Sequence, residues 1–325
     1  MRSFSCPTCR ARVFFTDLTC LTCGTALVYD IEYDQMVDLA AREACSGRDR
    51  YECCWAVRPA DSGGWCLACG LDDVPGAAPV STELTVFQAA KRRVVRQLWQ
   101  VGIDASGGPL NLRFELDRSG DDHRVTIGHA DGLVTLDVAE ADPVTREENR
   151  LSLGEPYRTP LGHVRHEVGH WHWQAFVLPD PERLARFRDL FGDETYDYAD
   201  ALERHYATDD DGFWEQSFVS FYASAHPWED YAESFAHVLH LLGTEETARS
   251  AGLIPDDPGD FAGRYEQWAQ VTVDLNELAR SMGTADPYPF APSAEAVEKF
   301  HWVHDVLQGA PSTPGDPVSS SPGPG

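Results

Sequence analysis

The residues best suited to chemistry fall in one short stretch, "GHVRHEVGHWHW", residues 162–173. It carries His163, His166, His170 and His172, with Glu167 among them. His166 and His170 are four apart, so on a helix their imidazoles lie one above the other and can share one zinc ion. Glu167 is turned about 100° from His166. From there it reaches a water activated by the metal rather than the metal itself. Zinc lowers the pKa of such a water toward about 7. Glu167 can then accept the proton and pass it to a leaving amine, as hydrolysis of a peptide bond requires. His163, three residues before His166, is expected behind the metal or at the helix start. His172 points to the opposite face, as packing or surface.

A catalytic zinc needs a third protein ligand and one open position. The best source is "FYASAHPWEDYAESFAHVLHLLG", residues 221–243. A helix starting near Pro227 sets Glu229 and Glu233 on one face, four residues apart. Either glutamate would complete a two-histidine, one-glutamate set, the gluzincin arrangement. Which one depends on where the helix begins. His237 and His240 continue that face and read as core histidines. His129 reads as structural, and Trp171 and Trp173 as core anchors.

A second chemistry is written in the nine cysteines, all before residue 70. Cys6 and Cys9 form one C-x-x-C pair, and Cys20 and Cys23 another, with ten residues between. Two such turns on adjacent hairpins close a tetrahedral zinc site. The glycine after Cys23 suits a tight knuckle. Cys66 and Cys69 form a third pair. Cys45 and Cys53 would complete a second four-cysteine site and leave Cys54 spare, although Cys53 and Cys54 could exchange roles.

The elements that must position these groups follow from periodicity. A helix is predicted over about 83–101, ended by Gly102, and an alternating strand over 110–117. "HRVTIGHADGLVTLDVAEAD" reads as a hairpin around an "ADG" turn. The histidine-rich helix is predicted over 159–177, bounded by Pro160 and Pro179. Helices are expected at 181–191, 196–207, 228–243, 260–282 and 293–308. The acidic run at 209–212 reads as a solvated loop. This gives an α+β layout: a zinc-ribbon region (1–72), a linker (73–82) and a mostly helical zincin-like domain with a small sheet (83–308). The Pro/Gly/Ser-rich tail, 309–325, is expected to be disordered.

Composition narrows the partners. The formal net charge is −27, and residues 1–72 hold seven arginines, no lysine and ten acidic residues. A nucleic-acid module would show a basic footprint, so nucleic acid is not expected. A structural ribbon, or one that contacts a protein partner, is expected instead. No apolar run reaches the roughly 18 residues of a membrane span. The start "MRSFSCPTCR" has no apolar signal core, so a cytoplasmic location is expected.

The motifs also carry a resemblance. "EDYAESF" (229–235) resembles the E-x-x-A-E-x-F helix of gluzincins of the lethal-factor type. That resemblance implies Glu229 as the third ligand, Glu233 close behind it, and Tyr222 as the donor to the developing oxyanion. "GHVRHEVGH" (162–170), "PWEDYAESFAHVLH" (227–240), "GHADGLVTLDVAEAD" (128–142) and "GEPYRTPLGH" (154–163), with the N-terminal ribbon, resemble a bacterial family described as putative zinc-binding metallopeptidases. The resemblance covers about residues 4–308. It implies a peptide or protein substrate, one catalytic zinc and one or two structural zincs. "CCW" at 53–55 departs from the family pattern of one cysteine followed by a polar residue, which favours Cys53 as ligand and Cys54 as extra. The rival expectation is a non-catalytic zinc-binding adaptor built on the same domain.

Overall fold

A computed structural model describes residues 2–309 except 108–109, 121–123, 153, 209, 211 and 258. The tail from 310 onward, and Asp209 and Asp211 of the acidic run, lie outside the described residues.

The N-terminal region is built from short pieces, because each cysteine pair occupies a tight turn. β1 (Phe4–Ser5) and β2 (Arg12–Val13) pair antiparallel, as do β3 (Leu27–Asp30) and β4 (Gln35–Asp38). Two one-turn helices follow, α1 (Arg48–Tyr51) and α2 (Leu67–Gly70). Strand β3 joins the two cysteine groups: the Tyr29 amide donates to the Cys54 carbonyl at 2.6 Å, and the Ala56 amide to the Tyr29 carbonyl at 2.8 Å. Phe4, Phe15, Tyr29 and Trp55 pack there edge to face and supply the apolar burial that so small a unit otherwise lacks.

Helix α3 (Thr82–Gln100) starts at Ser81, whose Oγ accepts from the Leu84 amide at 3.1 Å. A three-stranded sheet follows, with β5 (Arg113–Asp117), β6 (Gly128–Ala130) and β7 (Leu133–Asp137) in the order β5-β7-β6. β5 runs parallel to β7, and β6 returns antiparallel from the expected turn. Asp131 and Gly132 both take positive φ there, 46° and 85°. The linker is not a free tether. The Asp73 amide donates to Phe114 O and the Phe114 amide to Leu71 O, both at 2.8 Å, so the chain after the ribbon adds to the β5 edge.

The remainder is helical: α4 (Pro143–Ser152), α5 (Pro160–His172), α6 (Pro181–Phe191), α7 (Tyr198–Tyr206), α8 (Pro227–Ser250), α9 (Phe261–Ser281) and α10 (Ala294–Gln308). The sequence reading missed α4. The histidine helix is α-helical only to His172, and Trp173–Val177 forms a π-turn. α8 runs beyond its expected end at 243, because Gly243 is tolerated in mid-helix and the chain leaves at Ala251–Gly252, where Gly252 has φ 72°. No helix among the described residues is long and apolar enough to cross a membrane.

α5 and α8 form the centre of this domain. Their backbones come close at Gly169, where a Cβ would sit 2.9 Å from Ala232 Cα and 3.1 Å from Ala232 O. α3 locks both helices. Gln97 Nε2 donates to Leu239 O at 2.7 Å, while Arg165 donates to Gln97 Oε1 and, through Nη1, to His240 Nδ1 at 2.7 Å. Buried Lys299 on α10 donates to Asp230 Oδ2 at 2.6 Å and to Ser217 O at 2.7 Å. Arg96 on α3 ties the ribbon to the helices. It donates to Asp34 Oδ1 at 2.8 Å and to both oxygens of Glu246, at 2.6 and 2.9 Å.

Two outcomes follow for stability. Gly169→Ala should cost about 1–3 kcal/mol, since backbone rather than a flexible side chain occupies the space. Its melting temperature should fall, and an unchanged melt would mean that α5 and α8 separate freely. Burial alone would push the Glu246 carboxyl up, but Arg96's hydrogen bonds and charge outweigh it and hold its pKa at about 2. A depressed carboxyl stabilises the fold above its ordinary pKa of about 4.3. That contribution is lost as the pH falls toward 2. The melting difference between wild type and Glu246→Gln should therefore be full at pH 7 and shrink steadily between about pH 4.3 and 2.

Candidate metal centre

α5 begins with Pro160 in its first turn, and the Thr159 hydroxyl accepts from the Gly162 amide at 3.0 Å. This fixed start sets the register that stacks His166 under His170. α8 begins at Pro227 with His226 as its cap, His226 Nδ1 accepting from the Trp228 amide at 3.1 Å. Glu229 thus lies in the first turn, opposite the two imidazoles, and Glu233 one turn further on.

Three atoms converge. His166 Nε2 lies 3.0 Å from Glu229 Oε2, His170 Nε2 is 3.2 Å from His166 Nε2, and His170 Nε2 is 3.4 Å from Glu229 Oε2. A tetrahedral zinc with bonds of about 2.0–2.1 Å spaces its ligands about 3.3–3.4 Å apart. The His166 ring is turned by its other nitrogen, as Nδ1–H donates to Glu233 Oε1 at 2.8 Å. That assignment leaves the Nε2 lone pair facing Glu229 and His170. Lone pairs and a carboxylate meeting at one point call for a cation, so this donor set fits zinc. Glu233 sits behind His166 and is itself held by the Ser220 hydroxyl at 2.7 Å.

Glu167 stands beside the triangle and outside it. Its Oε2 is buried with no hydrogen-bond partner, and its Oε1 lies 3.4 Å from His163 Nε2. Burial would raise this carboxyl, but the hydrogen bond from His163 and the positive charge beside it outweigh burial and keep it below the usual range. His163 in turn donates from Nδ1 to Glu140 at 2.7 Å, and Arg158 bridges Glu140 and Glu155. Burial opposes a charged His163, yet Glu140 and Glu167 hold its pKa up at about 9. Tyr222 lines the same cavity, of about 650 Å³, with its ring 5.9 Å from that of His166. Burial, then the charge of Glu229, pushes its phenol well up, so it stays protonated.

The cysteines form two clusters, Cys6–Cys9–Cys20–Cys23 and Cys45–Cys53–Cys66–Cys69. Sulfur separations are 3.7 Å for Cys6–Cys23, Cys9–Cys20 and Cys53–Cys66, and 3.6 Å for Cys53–Cys69. A zinc with bonds of about 2.3 Å to sulfur requires edges of about 3.8 Å, so both clusters fit the ion. The first two knuckles are alike: Arg10 and Gly24, each following its second cysteine, take φ 64° and 76°. Cys54 belongs to neither cluster. Burial pushes its thiol up to about 12, leaving it neutral.

Residues 81–306 match the family described as putative zinc-binding metallo-peptidase, and residues 3–78 match a zinc-ribbon domain. The chain belongs to this metallopeptidase family. It is also similar to an uncharacterized protein of Mycobacterium tuberculosis and to one of Mycobacterium bovis. Each is 36% identical over 326 residues, covering 94% of this chain and 95% of the relative. No solved structure matches the chain.

The metallopeptidase domain uses His172, His237 and His129 for packing and for turn structure. His172 is buried, its Nδ1 2.8 Å from the Tyr231 hydroxyl, and burial lowers its pKa to about 3. His237 is packed among Tyr288, Phe290 and Phe300, and burial lowers it to about 4. His129 Nε2 accepts from the Gly132 amide at 3.1 Å and so pins the hairpin turn. Trp171 and Trp173 are core residues, and Trp171 Nε1 donates to Leu110 O at 2.8 Å. The sequence reading missed Tyr198, Ser220, Glu140 and Trp228, whose ring lies 4.3 Å from that of His170. "PWED" put Trp228 beside a candidate ligand, but the other three reach the site only through the fold.

The cysteine assignment has a direct check. Metal analysis of Cys53→Ser should show one zinc fewer per chain than wild type, whereas Cys54→Ser should keep the wild-type content. The reverse pattern would exchange their roles.

Proposed function

We propose that this family member is a zinc-dependent peptidase of gluzincin type, hydrolysing peptide bonds in a peptide or protein substrate. His166, His170 and Glu229 would hold the catalytic zinc, and the two cysteine clusters structural zincs. The observation that carries the reading is the pairing of one converging donor triangle with one buried carboxylate oxygen, Glu167 Oε2, that has no hydrogen-bond partner among the described residues. A zinc ion bound there would act as a Lewis acid, lowering the pKa of a water toward about 7 and polarising the scissile carbonyl. Glu167 takes the proton of the attacking water through its unpartnered Oε2 and delivers it to the leaving amine. His163, charged and anchored on Glu140, holds the other oxygen of Glu167 in place. Tyr222, a protonated phenol on the cavity wall, donates to the negative charge that grows on the carbonyl oxygen. Glu233 keeps His166 turned with Nε2 toward the ion. The ribbon, acidic overall, suits a protein contact rather than nucleic acid.

The test is cleavage of a broad peptide library by wild type and by Glu167→Gln, with metal measured in both. Glu167→Gln should keep its zinc and lose about 10²- to 10⁴-fold in rate, the span of general acid–base catalysis. Cleavage by the variant at the wild-type rate would refute Glu167 as base. A zinc-loaded wild type that cleaves nothing in the library would favour the adaptor.

A further inference from the structure

The two oxygens of Glu229 have different neighbours. Oε2 faces His166 and His170, while Oε1 accepts a hydrogen bond from the Tyr198 hydroxyl at 2.6 Å. Glu229 is fully buried, so without that donor Oε1 would have no water to turn to. A carboxylate with a free second oxygen can swing both oxygens onto a metal ion. It would then fill the position that a catalytic site must leave open.

Tyr198 is built to prevent this. It is the first residue of α7, whose start is fixed by Asp197 accepting from the Asp200 amide at 2.9 Å. Its ring packs edge-on against His226, the cap of α8, at 5.3 Å, and against Trp228 at 5.8 Å. His226 Nε2 lies 3.3 Å from Tyr196 O, so the chain entering α7 and the cap of α8 hold one another. The phenol is therefore located by the same turn that sets Glu229 in the first turn of α8. Trp228 completes the clamp by packing on His170.

We propose that Tyr198 is a positioning residue that keeps Glu229 a one-oxygen ligand and so preserves the open coordination position. It acts through Glu229, whereas Tyr222 is the phenol assigned to the substrate. The proposal rests on the metal-site reading above but not on peptide hydrolysis itself.

The experiment uses the full chain. Dipicolinate strips the histidine–glutamate site while the thiolate sites keep their zinc, and cobalt refills the emptied site. Tyr198→Phe should show weaker cobalt d–d bands than wild type, as gaining a ligand requires. Its zinc affinity, measured by chelator competition, should shift by about tenfold or more, the usual effect of removing a partner of a metal ligand. Tyr206→Phe, at the other end of α7 and lining the same cavity, should match wild type in both measurements. A melting curve confirms that each variant is folded. Wild-type bands and an affinity within twofold for Tyr198→Phe would overturn the proposal. So would equal changes in both variants, which would mark a general loosening of α7. Peptidase failure with the cobalt difference intact would sink the proposed function alone, and a wild type that takes no metal at this site would sink both.

Discussion

The close crossing of α5 and α8 is the constraint on which the rest of the domain depends. Two imidazoles on one helix and a carboxylate on another can share an ion only if the helix axes approach until ligand atoms stand about 3.3 Å apart. Gly169 permits that approach. It lies on α5 between His166 and His170, and the backbone of Ala232 fills the room that a side chain would occupy. Ala232 in turn lies between Glu229 and Glu233. Two small residues, Gly169 and Ala232, therefore touch where His166 and His170 on one helix and Glu229 and Glu233 on the other flank them. The larger core side chains, Trp171, Tyr231 and Phe235, pack around the crossing and hold it.

Such an approach buries charge, and burying charge without partners is expensive. The solution is a chain of pairings that spreads outward from the centre: Ser220 to Glu233 to His166 on one side, and Glu155 to Arg158 to Glu140 to His163 to Glu167 on the other. Each link satisfies one group and orients the next. At the end of this chain Glu167 Oε2 has no hydrogen-bond partner among the described residues, and Glu167 lines the cavity.

What could be read from the sequence was what is local. A four-residue spacing becomes a shared face as soon as a helix forms, so His166 and His170 needed no tertiary information. The same holds for the knuckles at Cys6–Cys9 and Cys20–Cys23, where a two-residue gap fixes the geometry. The placement of Glu229 and Glu233 turned on one backbone fact, the helix start at Pro227, where His226 caps α8. Spacing alone did not separate Cys53 from Cys54, because adjacent residues differ only in the direction the chain turns them, and only the family resemblance favoured Cys53. Tyr198 and Glu140 left no pattern. They stand 31 and 23 residues from the groups they bind and arrive through the packing of α7 and of the turn after β7. The tie between the linker and β5 was hidden for the same reason, since "GLDDVPGAAPVS" shows only that the segment turns.

The ribbon and the metallopeptidase domain are coupled by electrostatics as well as by contact. Arg92, on α3, is buried beside the second cysteine cluster, and its Nε and Nη1 have no hydrogen-bond partner among the described residues. A buried guanidinium cannot shed its charge. Burial works against it, and the charges of Cys53 and its neighbours outweigh that and keep its pKa above the ordinary value. A zinc ion on four thiolates carries a net charge of about −2, because thiolates and not thiols bind the ion. Arg92 is thus the counter-charge that helix α3 offers the ribbon. The same helix, through Gln97, holds Arg165 and Leu239 of the two helices that carry the donor triangle. A zinc ion held by the cysteine cluster would therefore contribute to the placement of α3, and α3 contributes to the crossing of α5 and α8.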